Sequence, residues 1–259
     1  MHPVAVFDLL RFERSGQSIR LTCNCAALPT DSRNLVFRAA KMFLEAAGIR
    51  DGVGLHLEKK LPLAAGLGGG SGNAATTLLG LNELFGEPLV PEQLRSIAAT
   101  LGSDVPFFLQ TKPALATGRG EIVEPIDSFS ALRGAWFLLM HPGFGIATAW
   151  AYQQVARFPE ALNGRAGRAR ELIACLQNND LKTAGAALYN SLEAPALKKY
   201  PLLALVREFF RENGAPGALM SGSGSSIFAI VESEAAAETL SEKFRSKFGR
   251  NNWLAMSPA

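Results

Sequence analysis

The sequence has few of the residues that mark disulfide-rich, metal-centred or membrane proteins. Its 259 residues include only three cysteines and three histidines. An odd number of cysteines does not make a disulfide framework, and His2, His56 and His141 lack metal-ligand spacing. No apolar run approaches the length of a membrane span, and no basic and apolar leader opens the chain. We therefore expect a soluble, cytoplasmic protein without a transition-metal site.

Strong charge is also missing. Charged residues make up 19% of the chain and the formal net charge is +3, too mildly basic to indicate a nucleic-acid partner. The one dense basic stretch, Arg165 to Arg170, is typical of a solvated helix or loop. Hydrophobic residues make up 48%, which is enough for a full core in one large domain or two small ones.

Glycine is concentrated in one short stretch. Five of the seven residues from Gly66 to Gly72 are glycine, and an apolar helical pattern follows directly, up to Phe85. Glycine at this density permits positive φ and close approach of a ligand to backbone N–H groups. Because the loop leads into a helix N-terminus, with Ser71 as its expected N-cap, it predicts a phosphate-binding loop. The alternative is a flexible glycine-rich turn without a ligand.

Two better-known phosphate loops do not fit this stretch. The sequence has no GxxxxGK[ST], which excludes a Walker A loop. Gly70, Gly72 and Ala75 match GxGxxA, the dinucleotide-binding pattern. In a dinucleotide-binding fold, however, the helix after this loop is followed by a second strand that ends in an acidic residue. A second predicted helix, Pro91 to Leu101, follows instead, so the loop is of another kind.

Further elements are predicted along the chain. Two alternating runs, Val4 to Arg14 and Ser18 to Cys25, predict a hairpin joined at residues 15–17. A continuous apolar run, Ala135 to Met140, predicts a buried strand that starts a second domain. The chain after it is predicted to be mostly helical, up to a glycine–serine loop at residues 217–226.

Three segments resemble the motifs of the GHMP kinases, a family named for galactokinase, homoserine, mevalonate and phosphomevalonate kinases. They are PLAAGLGGGSGNAA (62–75), GSDVPFF (102–108) and GALMSGSGSS (217–226), in the family's order. The resemblance implies an α+β fold with a ribosomal-protein-S5-type N-terminal domain, residues 1–130, and a ferredoxin-like C-terminal domain, residues 131–259. It also implies an ATP-dependent small-molecule kinase that uses ATP with Mg²⁺.

In these kinases the glycine loop covers the ATP phosphates. The resemblance therefore assigns ATP binding to Pro62, Leu63, Ala64, Ala65, Gly66, Leu67, Gly68, Gly69, Gly70, Ser71 and Gly72. It places Mg²⁺ at Ser71. Asn34, at the start of a helix beside the nucleotide base, and Lys59, at the end of a strand, are added as ATP contacts. A plain N-cap is an equal alternative for Asn34, and a solvated strand end is an alternative for Lys59.

Asp104 is the predicted catalytic residue. On chemistry alone, an acidic residue between a helix end and an aromatic run is equally a candidate N-cap. The resemblance implies that its carboxylate accepts the proton of the substrate hydroxyl while that oxygen attacks the γ-phosphate. The Pro-Phe-Phe run that follows is expected to pack beneath the site.

The second substrate follows from a narrower likeness within the family. The sequence is most similar by eye to a kinase of the non-mevalonate isoprenoid pathway, which acts on a cytidine diphosphate alcohol. That likeness assigns substrate binding to Thr148 and Tyr152, with helix capping and core packing as alternatives. The third family motif adds Gly222, Ser223 and Gly224, in a loop that packs on the phosphate loop and closes the active site, with a plain hairpin turn as the alternative. The expected partner is this small molecule, without nucleic acid or membrane, and the chain is expected to be a monomer or weak homodimer. Another GHMP kinase activity and a non-catalytic nucleotide-binding homologue are the alternative functions.

One part of the family pattern is not in the sequence. The resemblance implies a first strand with PAK[IL]NL and a following DGYH segment, whose lysine and histidine serve catalysis and substrate binding. Either the sequence starts at an internal methionine or a kinase has lost its catalytic lysine. We expect the first, because the other motifs are intact, and we expect the DNA upstream of the Met1 codon to encode the missing strand.

Overall fold

The structure is a computed structural model that describes residues 1–162 and 167–259. Arg165, at the start of the predicted basic cluster, lies outside the described residues. Helices and strands are both present throughout the rest, so the predicted α+β class is confirmed. No helix in the described ranges is long and apolar enough to cross a membrane.

The chain divides into two compact units. Their segments are Met1–Pro3, Phe7–Leu61 and Gly68–Ile126 in the first unit, and Val4–Val6, Pro62–Leu67 and Asp127–Ala259 in the second. The chain therefore leaves the first unit at the start of the glycine loop and re-enters it at Gly68. The predicted domain division at residue 130 did not anticipate these exchanged segments and remains a prediction.

The first unit combines a three-stranded sheet, a two-stranded sheet and three α-helices. In chain order the elements are β1 (Leu9–Arg14), β2 (Ile19–Cys23), α1 (Leu35–Ala47), β3 (Val53–Glu58), α2 (Gly69–Leu84), α3 (Pro91–Leu101), a 3₁₀ helix (Val105–Leu109), β4 (Ala114–Thr117) and β5 (Ile122–Pro125). The core lies where α1 and α2 pack on each other, with Phe43, Leu78 and Leu81 fully buried. This core holds α2, and thus the end of the glycine loop, against the sheet.

The predicted N-terminal hairpin is wrong, because β3 lies between β1 and β2. The strand order is β1-β3-β2, with β3 antiparallel to β1 and parallel to β2. The chain between the first two strands crosses the start of β3, where Gly52 donates to the Gly16 carbonyl at 3.0 Å. A Cβ at Gly52 would lie 2.3 Å from the Ser18 nitrogen, so only glycine permits this crossing. Alternation shows which face a strand buries but does not name its partner.

The second unit is a four-stranded antiparallel sheet with helices. Its elements are a 3₁₀ helix (Ser130–Leu132), β6 (Trp136–His141), α4 (Thr148–Val155), α5 (Arg168–Gln177), α6 (Leu181–Ala187), α7 (Glu193–Lys199), α8 (Pro201–Glu212), β7 (Gly217–Met220), β8 (Ile227–Val231), α9 (Glu234–Phe248) and β9 (Trp253–Pro258). The strand order is β7-β8-β6-β9. Leu138, Leu203 and Phe244 are buried in one core that joins β6 to α8 and α9. The predicted glycine–serine loop, residues 217–226, is wrong in its first four residues, because Gly217–Met220 form β7; the loop between β7 and β8 is residues 221–226.

Candidate functional site

The first half of the glycine loop is held by backbone contacts inside the second unit. The Ala65 carbonyl accepts a hydrogen bond from the Ser226 N–H at 3.1 Å. The Gly66 carbonyl accepts one from the Ser221 hydroxyl at 2.9 Å. The β7–β8 loop, residues 221–226, therefore docks directly on the segment before Leu67. The contact between Gly66 and Ser221 joins two motifs of the family across 155 residues of sequence.

Gly66 is the position where this contact leaves no room for a side chain. Its φ is +73°, and a Cβ there would lie 2.1 Å from the Ser221 carbonyl oxygen. Gly222 has φ +53°, and a Cβ there would lie 2.9 Å from the Gly66 carbonyl oxygen. The two loops therefore meet backbone to backbone, which explains the need for glycine in both motifs.

The second half of the loop ends in the N-terminus of α2. The N-cap is Gly68, with φ +67°, so the prediction that Ser71 caps this helix is wrong. Ser71 lies inside the first turn, and the glycine N-cap has no side chain that could accept a hydrogen bond from the first-turn N–H groups. A cap without a side-chain acceptor leaves the first-turn N–H groups for another anionic acceptor, which suits a phosphate.

The predicted catalytic segment lies beside this helix start. Asp104 precedes the 3₁₀ helix Val105–Leu109, and a Cβ at Gly68 would lie 2.6 Å from the Phe108 ring. Phe108, in the aromatic run that follows Asp104, therefore packs against the end of the glycine loop. That this run lies beneath an active site stays a prediction. Phe107 is buried and meets Phe108 edge to face at 5.1 Å, which fixes this segment in place.

Asp104 itself is exposed. It occupies the N-cap position of the 3₁₀ helix, but its side chain makes no capping hydrogen bond. Its carboxylate lies near the turn at Gly120, where a Cβ would be 3.5 Å from Oδ1. The capping alternative therefore has no hydrogen bond to support it, and the exposed carboxylate is accessible to a substrate hydroxyl, as a general base must be within hydrogen-bond reach of the proton that it accepts.

Lys59 is not a solvated strand end, contrary to the alternative considered for it. Its side chain is only 7% exposed, and its ammonium forms an ion pair with Asp8 at 2.5 Å. A Cβ at Gly69 would lie 3.1 Å from Lys59 Nζ, so the ammonium stands at the first residue of α2. Lys60, by contrast, is half exposed and pairs with Glu58 on the surface. The assignment of Lys59 to ATP binding stays a prediction.

The Asp8 carboxylate was missed by the sequence analysis. Its side chain is fully buried, and it accepts hydrogen bonds from the Lys59 ammonium, the Asn73 amide group and two backbone N–H groups. Burial alone would raise the pKa of the Asp8 carboxyl, but these bonds, first of all from Lys59, hold that pKa below its usual value. Its donors lie 51 to 65 residues away, so no local pattern marks Asp8.

The predicted substrate residues meet inside the second unit. The Thr148 hydroxyl, at the first residue of α4, lies 3.0 Å from the Ser223 hydroxyl in the β7–β8 loop. Ala147, not Thr148, is the N-cap of α4, and Tyr152 is 62% exposed. Helix capping by Thr148 and core packing by Tyr152 are therefore both contradicted. Gly222 and Gly224 flank Ser223 with positive φ.

Two polar residues that received no role in the sequence analysis hold this loop from the other side. The Asn190 side-chain amide donates to the Met220 carbonyl at 2.8 Å and to the Gly222 carbonyl at 2.7 Å. Glu193, which is buried, accepts from the Met220 N–H at 2.8 Å and pairs with Arg207 at 2.7 Å. The start of the β7–β8 loop is thus fixed by charge-assisted hydrogen bonds.

Asn34 is the N-cap of α1. Its Oδ1 accepts from the Val36 N–H at 3.0 Å, and its amide donates to the Pro29 carbonyl at 2.7 Å. The capping alternative is therefore observed, and a contact with the nucleotide base stays a prediction.

Among the described residues no group of three or more His, Cys, Asp or Glu could hold a metal ion.

Comparison with known proteins matches both halves of the chain to one family. The model of the GHMP kinases N terminal domain matches residues 34–112, and the GHMP kinases C terminal model matches residues 172–251. The chain belongs to the GHMP kinase family. This membership confirms the predicted fold and the predicted class, an ATP-dependent small-molecule kinase.

Several curated relatives carry one name. The 4-diphosphocytidyl-2-C-methyl-D-erythritol kinase of Synechococcus sp. (strain JA-3-3Ab) is 39% identical over 90% of this chain and 76% of its own length. That of Geobacter sulfurreducens is 38% identical over 93% of this chain and 81% of its own length. This GHMP kinase is therefore similar, along most of its own sequence, to kinases of that name.

Solved structures give the same family. A crystal structure of 4-(cytidine 5'-diphospho)-2C-methyl-D-erythritol kinase is 34% identical, with a TM-score of 0.80, and covers 99% of this chain and 88% of its own. The homoserine kinase of Cytophaga hutchinsonii is 24% identical, with a TM-score of 0.75, covering 96% and 84%. The second likeness is one of fold alone.

Proposed function

We propose that this GHMP kinase transfers the γ-phosphate of ATP to a hydroxyl of 4-diphosphocytidyl-2-C-methyl-D-erythritol, in the non-mevalonate isoprenoid pathway. The observation that carries the proposal is the similarity, at 38–40% identity over most of the chain, to relatives of that name. The exposed Asp104, in the segment whose Phe108 packs at the start of α2, supports it chemically. A cytoplasmic location and a monomer or weak homodimer remain predictions.

The glycine loop, from Pro62 to Gly72, binds ATP. The uncapped first turn of α2 and the Lys59 ammonium beside Gly69 supply positive potential for the β- and γ-phosphates. Mg²⁺ bound together with ATP would neutralise phosphate charge, and this ion prefers oxygen ligands. The Ser71 hydroxyl, in the first turn, is an oxygen ligand suited to it. Asn34 completes the nucleotide contacts.

Proton transfer falls to Asp104. The alcohol oxygen attacks the γ-phosphorus, the bond to the bridging oxygen of ADP breaks, and the hydroxyl proton passes to the Asp104 carboxylate. Thr148 and Tyr152 hold the cytidine end of the alcohol. Gly222, Ser223 and Gly224 add substrate contacts from the β7–β8 loop. The loop's contribution is mainly positioning, because phosphoryl transfer needs alignment and charge neutralisation more than covalent catalysis.

The Thr148→Val variant tests the substrate assignment. It keeps the shape of the side chain and removes the hydroxyl 3.0 Å from Ser223. We expect KM for the cytidine diphosphate alcohol to rise about five- to tenfold, the loss of one hydrogen bond, while KM for ATP changes less than about twofold. Steady-state kinetics with each substrate varied in turn measures this split.

The matched control is Thr239→Val, on the exposed face of α9, which should change neither KM. An equal rise in both KM values, or no rise for the alcohol, would contradict the assignment of Thr148 to the cytidine end.

A further inference from the structure

The buried Asp8 carboxylate ties together the two ends of the glycine loop. On the entry side, its Oδ1 accepts the N–H groups of Lys60 at 2.7 Å and Leu61 at 2.8 Å, directly before Pro62. On the exit side, its Oδ2 accepts the Asn73 amide at 2.8 Å, in the first turns of α2. One carboxylate thus closes the segment of eleven residues between Leu61 and Asn73.

The same carboxylate holds Lys59. The ammonium stands 3.1 Å from where a Cβ of Gly69 would be, at the positive end of the α2 dipole. A cation at a helix N-terminus is unfavourable by itself, so the lysine needs a fixed anion to stay there. Asp8 supplies that anion and is fully buried, with the lysine side chain only 7% exposed.

We propose that Asp8 is a positioning residue for the phosphates of ATP. It acts through other groups: it sets the Lys59 ammonium and the first turn of α2 in the arrangement that receives the phosphates. This inference rests on the proposed function, because it requires that the loop bind ATP. It predicts that removing the Asp8 charge lowers the affinity for the phosphates of ATP and leaves the affinity for adenosine unchanged.

The sign of the effect separates positioning from plain electrostatics. The Asp8→Asn variant removes a negative charge close to where ATP phosphates bind. If Asp8 only lowered the local potential, its removal would strengthen ATP binding, because like charges repel. Positioning predicts the opposite, about tenfold weaker ATP binding, since Lys59 and the loop entry lose their common acceptor. A general loosening of the unit would weaken ATP and adenosine alike.

The experiment measures the dissociation constants of ATP and adenosine by calorimetry on the whole chain. For Asp8→Asn we expect the ATP constant to rise about tenfold and the adenosine constant to change less than twofold. Asn73→Leu, which removes one donor and leaves the ion pair, should raise the ATP constant about threefold and keeps the test available if Asp8→Asn does not fold. The control Asp51→Asn removes the same charge from an exposed position and should change neither constant.

Three results would overturn the inference. They are an unchanged or tighter ATP constant in Asp8→Asn and Asn73→Leu, an equal loss for adenosine, and the same loss in Asp51→Asn. A failure of ATP binding itself, which the inference requires, has a different signature, since the unsubstituted chain would then give no dissociation constant for ATP. A chain that binds ATP with an unaffected Asp8→Asn variant contradicts the role of Asp8 alone.

Discussion

Replacing Asp104 with asparagine is expected to lower the rate of phosphoryl transfer by about a hundredfold or more while ATP affinity stays within about twofold. Asparagine keeps the shape of the side chain but cannot accept the hydroxyl proton. Because the Asp104 side chain is exposed and makes no capping hydrogen bond, its replacement should leave the free energy of unfolding within about 0.5 kcal/mol. A rate defect in this variant is therefore chemical rather than structural.

The measurement is single-turnover transfer from labelled ATP, together with calorimetric ATP binding and urea unfolding. Asp51→Asn, an exposed carboxylate in the same unit, is the control and should transfer phosphate at the unsubstituted rate. A folded Asp104→Asn protein with near-normal transfer would leave Asp104 without a catalytic role.

Gly66→Ala is expected to be the most damaging single change in the glycine loop. An L residue at φ +73° costs about 1–2 kcal/mol, and forcing a Cβ to within 2.1 Å of the Ser221 carbonyl adds about 1–3 kcal/mol by displacing backbone. We therefore expect the free energy of unfolding to fall by about 3 kcal/mol or more, with ATP affinity at least about tenfold weaker in the folded protein.

Gly134→Ala separates the two contributions. Gly134 has φ +79° but nothing within 4 Å of its would-be Cβ, so it carries only the backbone strain of about 1–2 kcal/mol. Urea unfolding and calorimetry on both variants make the comparison. Equal destabilisation, with equal ATP affinity, would show that the glycine loop and the β7–β8 loop do not touch at Gly66.

The sequence predicts those features best whose residues are contiguous in the chain. The glycine run before a helix and the aromatic run after Asp104 are contiguous, so their residues could be named without a structure. The helix from Pro201 to Glu212 lies in the part of the chain that is predicted to be mostly helical.

Other features depend on pairings that no local pattern encodes. The insertion of β3 between β1 and β2 is a choice of strand partner, which alternation leaves open. Asp8 finds its donors more than 50 residues away, and Gly66 meets Ser221 across 155 residues. The capping of α2 by Gly68 instead of Ser71 reflects the positive φ at which the loop turns into the helix.

The central claim is that this GHMP kinase phosphorylates the cytidine diphosphate alcohol, and one measurement tests it most directly. The full chain is mixed with Mg²⁺ and with ATP that is labelled at the γ-phosphate. The protein is in excess over the alcohol, so that slow transfer is also detected. The alcohols are 4-diphosphocytidyl-2-C-methyl-D-erythritol, homoserine, mevalonate and galactose, each in a separate reaction. We predict label on the first alcohol only, and its loss in Asp104→Asn. Label on one of the other three, or on none of them while ATP binds, would contradict the account.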